Sequence, residues 1–156
     1  MHIAFILGMN YIDLRSDEPT TRAQFKLDSQ FREKRLLGIS GIGSTPGLTN
    51  IMLRHIEPQF DTIETVHFGF AWNSNIPIFV VPFSIDPIVD EFTEPAIILE
   101  NGKFIKKKPD QLATIDYEYR SIGKQDTRYV KHIEQYTFRK FLRKKRIKSL
   151  LAIWRG

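Results

Sequence analysis

The chain has 156 residues, with 23 Lys and Arg against 18 Asp and Glu, and it contains no cysteine. This length suits one ordinary domain, and a hydrophobic fraction of 42% supplies a core and excludes intrinsic disorder. Without cysteine the chain can hold no disulfide, no iron–sulfur cluster, no cysteine-ligated zinc and no thiol nucleophile. The first apolar run, residues 3–7, is too short for a membrane span or a signal peptide, so we expect a cytoplasmic protein.

The net charge of +5 is concentrated at one end of the chain. Residues 1–119 carry 11 basic and 16 acidic side chains, whereas residues 120–156 carry 12 basic and 2 acidic ones. Seven of these cations fall within residues 139–148. We expect them to form the solvated face of a helix. Nucleic-acid binding through this segment is the less favoured alternative, because no aromatic residues interleave with the cations on the basic face and no nucleic-acid motif surrounds them.

The first 45 residues read as a parallel α/β segment. A helix ends at Gly8, a strand covers residues 10–14, a helix covers residues 20–35 and a second strand covers residues 36–43. Strand, helix and strand in this order and length are typical of a βαβ unit, which pairs its strands in parallel.

The remainder of the chain reads as an α+β unit with a mixed or antiparallel sheet. Thr45 is a good N-cap and Pro46 a favourable first residue for a helix over residues 46–57. Short helices are expected at residues 84–92 and 136–145. The expected strands cover residues 62–71, 76–83, 96–99, 103–106, 114–119, 128–133 and 149–154, and a tight Asn101-Gly102 turn joins the third to the fourth.

A glycine-rich loop stands between these two parts. Gly41, Gly43 and Gly47 do not match the dinucleotide fingerprint, which needs its third glycine at position 46. Two alternatives remain open. The helix that follows could offer free N–H groups to an anion, or the glycines could simply permit a tight turn.

The same loop carries a resemblance to a known family. Residues 41–52, GIGSTPGLTNIM, resemble the Gly-x-Gly-x-x-Pro-Gly-x-Thr-Asn stretch of the saccharopine dehydrogenase-like NAD(P)-dependent oxidoreductases, which include saccharopine reductases and carboxynorspermidine dehydrogenases. Residues 8–14 resemble the Gly-x-x-Tyr-x-Asp-Leu strand of this family. Residues 95–103, 122–124 and 129–134 resemble, in the family's order, its hairpin and the segment in which a Tyr precedes a His and a Glu.

The resemblance implies two domains, of which this chain would contain parts. Residues 1–45 would be the C-terminal remnant of a Rossmann-like NAD(P)-binding domain, and residues 46–156 an incomplete substrate and dimerisation domain. Family members are more than twice as long, and their nucleotide fingerprint precedes the part that matches. The resemblance therefore implies a fragment that neither binds NAD(P) tightly nor turns over alone.

The resemblance also assigns candidate site residues. Tyr11, Gly43 and Thr45 would face the cofactor, although Tyr11 also reads as a core aromatic and Thr45 as a helix cap. The substrate side would be formed by Gly47, Asn50, Tyr129, His132 and Glu134. His132 and Glu134 would share one face of a strand, and such a pair could perform acid–base chemistry, orient a substrate amine or form a surface contact.

We therefore expect a fragment of an oxidoreductase that, in intact relatives, transfers hydride between NAD(P) and a C–N bond of an amino-acid-derived substrate. The alternatives are a binding or dimerisation module and a nucleic-acid-binding module. We expect a homo-oligomer or an upstream segment as partner and no membrane partner. The residues that would carry catalysis stay unassigned, and no spacing of His and carboxylates predicts a metal site.

Overall fold

The computed structural model describes residues 1–71, 77–78, 84–108, 114–142 and 149–155. Within these ranges the helices are α1 (His2–Ile6), α2 (Glu18–Phe25), α3 (Asp28–Glu33), α4 (Leu48–Ile56), α5 (Ile85–Thr93) and α6 (Glu134–Phe141). The strands are β1 (Tyr11–Ile12), β2 (Gly38–Ile39), β3 (Thr65–Ala71), β4 (Ala96–Glu100), β5 (Lys103–Lys107), β6 (Thr114–Tyr119), β7 (Gly123–Tyr129) and β8 (Ser149–Arg155).

The N-terminal strands β1 and β2 pair in parallel, with Tyr11 opposite Gly38 and Ile12 opposite Ile39. This confirms the parallel pairing predicted for the segment. The single helix predicted between the strands is two helices, because the backbone tightens at Lys26 and Leu27, whose N–H groups bond carbonyls three residues back. Two strands of two residues each do not establish a Rossmann sheet, which stays a prediction.

The larger sheet is built around the last strand of the chain. The strand order is β5-β4-β8-β7-β6, and β3 pairs with β8 as well. β8 runs parallel to β3 along residues 65–71 and antiparallel to β4 and β7. The fold is therefore a mixed α/β structure whose principal sheet contains both parallel and antiparallel pairs, as the sequence predicts at the level of fold class.

Helix α6 covers this sheet and forms the core with α4. The buried core side chains are those of Leu53, Ile63, Leu99, Phe138 and Leu142, against which Val66, Phe68 and Phe104 pack. Full burial of such side chains stabilises the fold by about 1.5–3 kcal/mol each. This core fixes α6 against α4, and that contact determines the geometry of the site described below.

Two turns are set by residues with positive φ. Asn101 and Gly102 have φ of 50° and 76°, which confirms the predicted hairpin between β4 and β5. Gly123, with φ of 71°, begins β7 after the turn that follows β6. The strand predicted at residues 128–133 is therefore wrong in its bounds: β7 ends at Tyr129, and the Ile133 carbonyl already accepts the first backbone bonds of α6.

Helix α6 also begins two residues before its predicted start, at Glu134. The basic residues 143–148 and most of the strand predicted at residues 76–83 lie outside the described residues. Across the parts of the chain that the structure describes, no helix is both long and apolar enough to cross a membrane.

Candidate functional site

The glycine loop folds back on itself before α4 begins. A bridge joins Gly43 to Gly47, and the peptide bond between Thr45 and Pro46 is cis. Helix α4 has Gly47 at its N-cap and starts at Leu48. The prediction that Thr45 caps the helix and Pro46 begins it is therefore wrong, because the self-closing turn occupies residues 43–47.

The loop is closely packed at its glycines, and the first N–H groups of α4 donate hydrogen bonds back to the loop. A Cβ at Gly47 would lie 2.3 Å from the Gly43 carbonyl oxygen, so no side chain fits there. The N–H groups of Leu48 and Thr49 donate to the carbonyls of Gly43 and Ser44 at 2.9 and 3.3 Å. The tight-turn alternative therefore explains why residue 47 is a glycine.

A fully buried carboxylate connects this loop to α6. Glu134 has no exposed surface, and its Oε1 accepts hydrogen bonds from the Thr45 hydroxyl and, at 2.9 Å, from the Thr49 hydroxyl. Its Oε2 contacts Nδ1 of His132. The core packing of α4 on α6 places Thr49 opposite the first turn of α6. Together we call Thr45, Thr49, His132 and Glu134 the Glu134 cluster.

Hydrogen bonds compensate the burial of the Glu134 carboxylate. A buried charge is tolerated when hydrogen bonds compensate its lost hydration, and hydrogen bonds to the charged form of a carboxyl favour that form. Glu134 also lies in the first turn of α6, where the helix dipole favours negative charge. The arrangement can hold an imidazole in one orientation, as a carboxylate does in many acid–base sites.

His132 lies in the connection between β7 and α6, and its side chain is 13% exposed. The edge of its ring faces Phe68, with centroids 6.2 Å apart. On the residue before it, Lys131 forms an ion pair with Glu94, and that cation lowers the pKa of the Glu94 carboxyl. The expectation that His132 and Glu134 share a strand face is wrong, because neither residue is in a strand, yet the two side chains do meet.

Tyr11 belongs to a separate polar network. Its hydroxyl donates to Asp13 Oδ2 at 2.7 Å, and Gln24 Nε2 donates to the same oxygen at 2.6 Å. Asp13 Oδ1 accepts from the backbone N–H groups of Gly41 and Arg15. Burial raises the pKa of Asp13, but these hydrogen bonds outweigh it and hold the pKa below its usual range, while the bond to Asp13 raises the pKa of Tyr11.

A cleft of about 970 Å³ opens beside the glycine loop. Gly43, Gly47 and Asn50 line it, together with several cationic side chains, which are those of Arg15, Arg32, Arg54 and Lys140. The structure thus places three candidate residues on the cleft and three in the Glu134 cluster. Asn50 Oδ1 is buried and, among the described residues, has no hydrogen-bond partner.

Tyr129 ends β7 opposite Ile153 of β8, where burial raises the pKa of its phenol. It is thus placed on the sheet, three residues before His132. Thr49 was not predicted as a site residue. No spacing in the sequence indicated it, because Thr45 lies in the turn before α4 and not on the same helix as Thr49.

The two described cations of the basic segment are engaged with aromatic rings. The Arg139 guanidinium lies 4.9 Å from the centre of the Phe104 ring, and the Lys140 ammonium lies 3.9 Å from that of Phe25. Phe104 in turn stacks on Tyr136. These contacts tie α6 to β5 and α2.

Comparison with known proteins gives a structural relationship and no sequence family. No family profile matches the chain, and no curated protein matches it. The apo histidine-tagged saccharopine dehydrogenase (L-Glu forming) from Saccharomyces cerevisiae is similar in structure, with a TM-score of 0.60 and 11% identity over 97% of this chain. The match spans 36% of that protein's chain. At this identity the likeness shows a distant relationship of fold.

Proposed function

We propose that this chain forms the substrate side of a saccharopine dehydrogenase-like oxidoreductase. Intact enzymes of this class transfer hydride between NAD(P) and a C–N bond of an amino-acid-derived substrate. The chain alone neither binds the dinucleotide tightly nor turns over. It functions together with a partner or further segment that supplies the nucleotide site.

One observation carries this proposal: the side chains of Thr45 and His132 both contact the buried carboxylate of Glu134. These three residues come from two segments that resemble the family, 41–52 and 129–134, which lie far apart in the sequence. The distant structural likeness over nearly the whole chain supports the same assignment.

In this proposal His132 orients the substrate amine and exchanges its proton at Nε2, while Glu134 holds the opposite side of the ring. The cations of the cleft receive substrate carboxylates, since Arg side chains pair well with carboxylates. The N–H groups of Leu48 and Thr49 donate to carbonyls of the loop, and we assign no step to a dinucleotide held by the described residues.

Calorimetric titration of the chain tests both halves of the proposal. Saccharopine should bind with millimolar affinity, whereas NADPH should show no saturation up to about 1 mM, which corresponds to roughly −4 kcal/mol. His132→Gln should abolish the saccharopine signal and the exposed His67→Gln should preserve it. Micromolar binding of NADPH would refute the proposal that the chain alone does not bind the dinucleotide tightly. Absence of saccharopine binding would refute the proposal that the chain forms the substrate side.

A dimerisation module is the second candidate, and one observation favours it. Large apolar side chains are exposed on the first 60 residues, including Ile3, Leu7, Leu14 and Ile51, which are 65–73% exposed. The short parallel pair β1 and β2 adds open strand edges. Such an apolar surface favours a protein–protein interface. A dimer interface here is compatible with the proposed oxidoreductase function.

A further inference from the structure

Glu134 divides its two oxygens between two kinds of partner. Oε1 accepts from the hydroxyls of Thr45 and Thr49, and Oε2 contacts His132 Nδ1. Thr45 comes from the glycine loop and Thr49 from the first turn of α4. All of these contacts are made by a carboxylate with no exposed surface, so water does not compete for them.

The different partners of the two Glu134 oxygens bear on which group, Glu134 or His132, carries the proton between them. Two hydroxyl donors on Oε1 stabilise the ionised carboxylate. The proton on the Oε2 side is then carried by Nδ1 of the imidazole, which leaves Nε2 as the basic nitrogen. A neutral histidine in water prefers the opposite tautomer, with the proton on Nε2, so the protein environment has to impose this one.

We propose that Thr49, together with Thr45, is a positioning residue that holds His132 in its Nδ1–H tautomer through Glu134. The use of the basic Nε2 rests on the proposed function, whereas the tautomer itself does not.

The long-range ¹H–¹⁵N spectrum of the imidazoles tests this inference on the ligand-free chain. At a pH where His132 is neutral, its Nδ1 should give the protonated-type shift and its Nε2 the unprotonated-type shift. The other three histidines, His2, His55 and His67, are exposed and serve as internal references. They should show the solution preference for Nε2–H.

Variants separate positioning from general stabilisation. Thr49→Val should raise the Nε2–H fraction of His132 by about twofold or more, and Thr49→Ser should restore the wild-type pattern. Glu134→Gln should reverse the tautomer, because its amide can donate to Nδ1. The matched control is Thr137→Val, since Thr137 is a buried threonine whose hydroxyl bonds the Glu134 backbone carbonyl at 3.3 Å. It should leave the tautomer unchanged.

Several results would overturn the inference. These are an Nε2–H tautomer in the wild-type chain, an unchanged tautomer in Thr49→Val, or an equal shift in Thr137→Val. Should Glu134→Gln fail to fold, the wild-type spectrum and the Val and Ser variants at Thr49 still decide the question. Because no ligand is added, failure here is distinguishable from failure of substrate binding.

Discussion

The Thr49 hydroxyl donates to Glu134 Oε1 at 2.9 Å across 85 residues of sequence, and this bond fastens α4 to α6. Glu134→Gln should lower the free energy of unfolding by about 1–3 kcal/mol, because buried donors lose a charged acceptor. Urea denaturation measures this loss. Combined with Thr49→Val in a double-mutant cycle, it should show a coupling of about 0.5 kcal/mol or more.

The exposed Glu118→Gln is the control for this prediction and should change stability by less than about 0.5 kcal/mol. Strict additivity of Glu134→Gln and Thr49→Val would mean that the two residues do not interact in solution.

Gly47 should tolerate no side chain. Gly47→Ala adds a Cβ where the Gly43 carbonyl oxygen lies 2.3 Å away, and φ is 132°. Overpacking of this kind costs about 1–3 kcal/mol, in addition to the strain of positive φ. Gly102→Ala is a matched control, because Gly102 has a φ of 76° with open space around it. Thermal denaturation should show the larger loss for Gly47→Ala, and equal losses would contradict the closed loop.

The Asp13 network predicts a pH-dependent contribution to stability. The native pKa of Asp13 is lowered, so its carboxylate stabilises the fold above the unfolded pKa of about 3.9, and this stabilisation is lost as the pH falls through the lower native value. Asp13→Asn should therefore cost about 1–2 kcal/mol at pH 7, and this cost should shrink at acidic pH.

Urea denaturation between pH 7 and pH 3 checks the Asp13 prediction, with Asp61→Asn, at an exposed bend, as the control. A cost for Asp13→Asn that is independent of pH would show that its hydrogen bonds do not depend on the ionised carboxyl.

The exposed apolar surface of the first 60 residues predicts self-association. Light scattering should give a mass above the 18.2 kDa of the monomer at concentrations where a protein with a polar surface stays monomeric. Leu14→Glu should reduce this mass, whereas Ile78→Glu should not, although both side chains are 70% exposed. A compact monomer in the wild-type chain would contradict the prediction.

Local signals were sufficient for much of the fold. Asn101-Gly102 predicts its hairpin because both residues tolerate positive φ. The helix predicted from residue 20 begins at Glu18, where the Asp17 side chain accepts from the Thr20 N–H at 3.0 Å. The bounds of β7 were mispredicted. β7 ends at Tyr129, and the Ile133 carbonyl accepts the first backbone hydrogen bonds of α6.

The candidate site was predicted less well from the sequence than the fold was. The meeting of His132 with Glu134 was expected on a strand, whereas it takes place at the start of a helix. The contact with Thr49 depends on the packing of α4 on α6, which no spacing within either segment encodes. The cofactor and substrate roles of the candidate residues stay predictions.

The most direct test of the account follows the His132 imidazole while saccharopine is added to the ¹⁵N-histidine-labelled chain. We predict a saturable change in the His132 resonances in the millimolar range, with the resonances of exposed His55 and His67 unchanged. Unchanged His132 resonances at about 10 mM saccharopine, roughly −3 kcal/mol of binding, would contradict a substrate role for the Glu134 cluster.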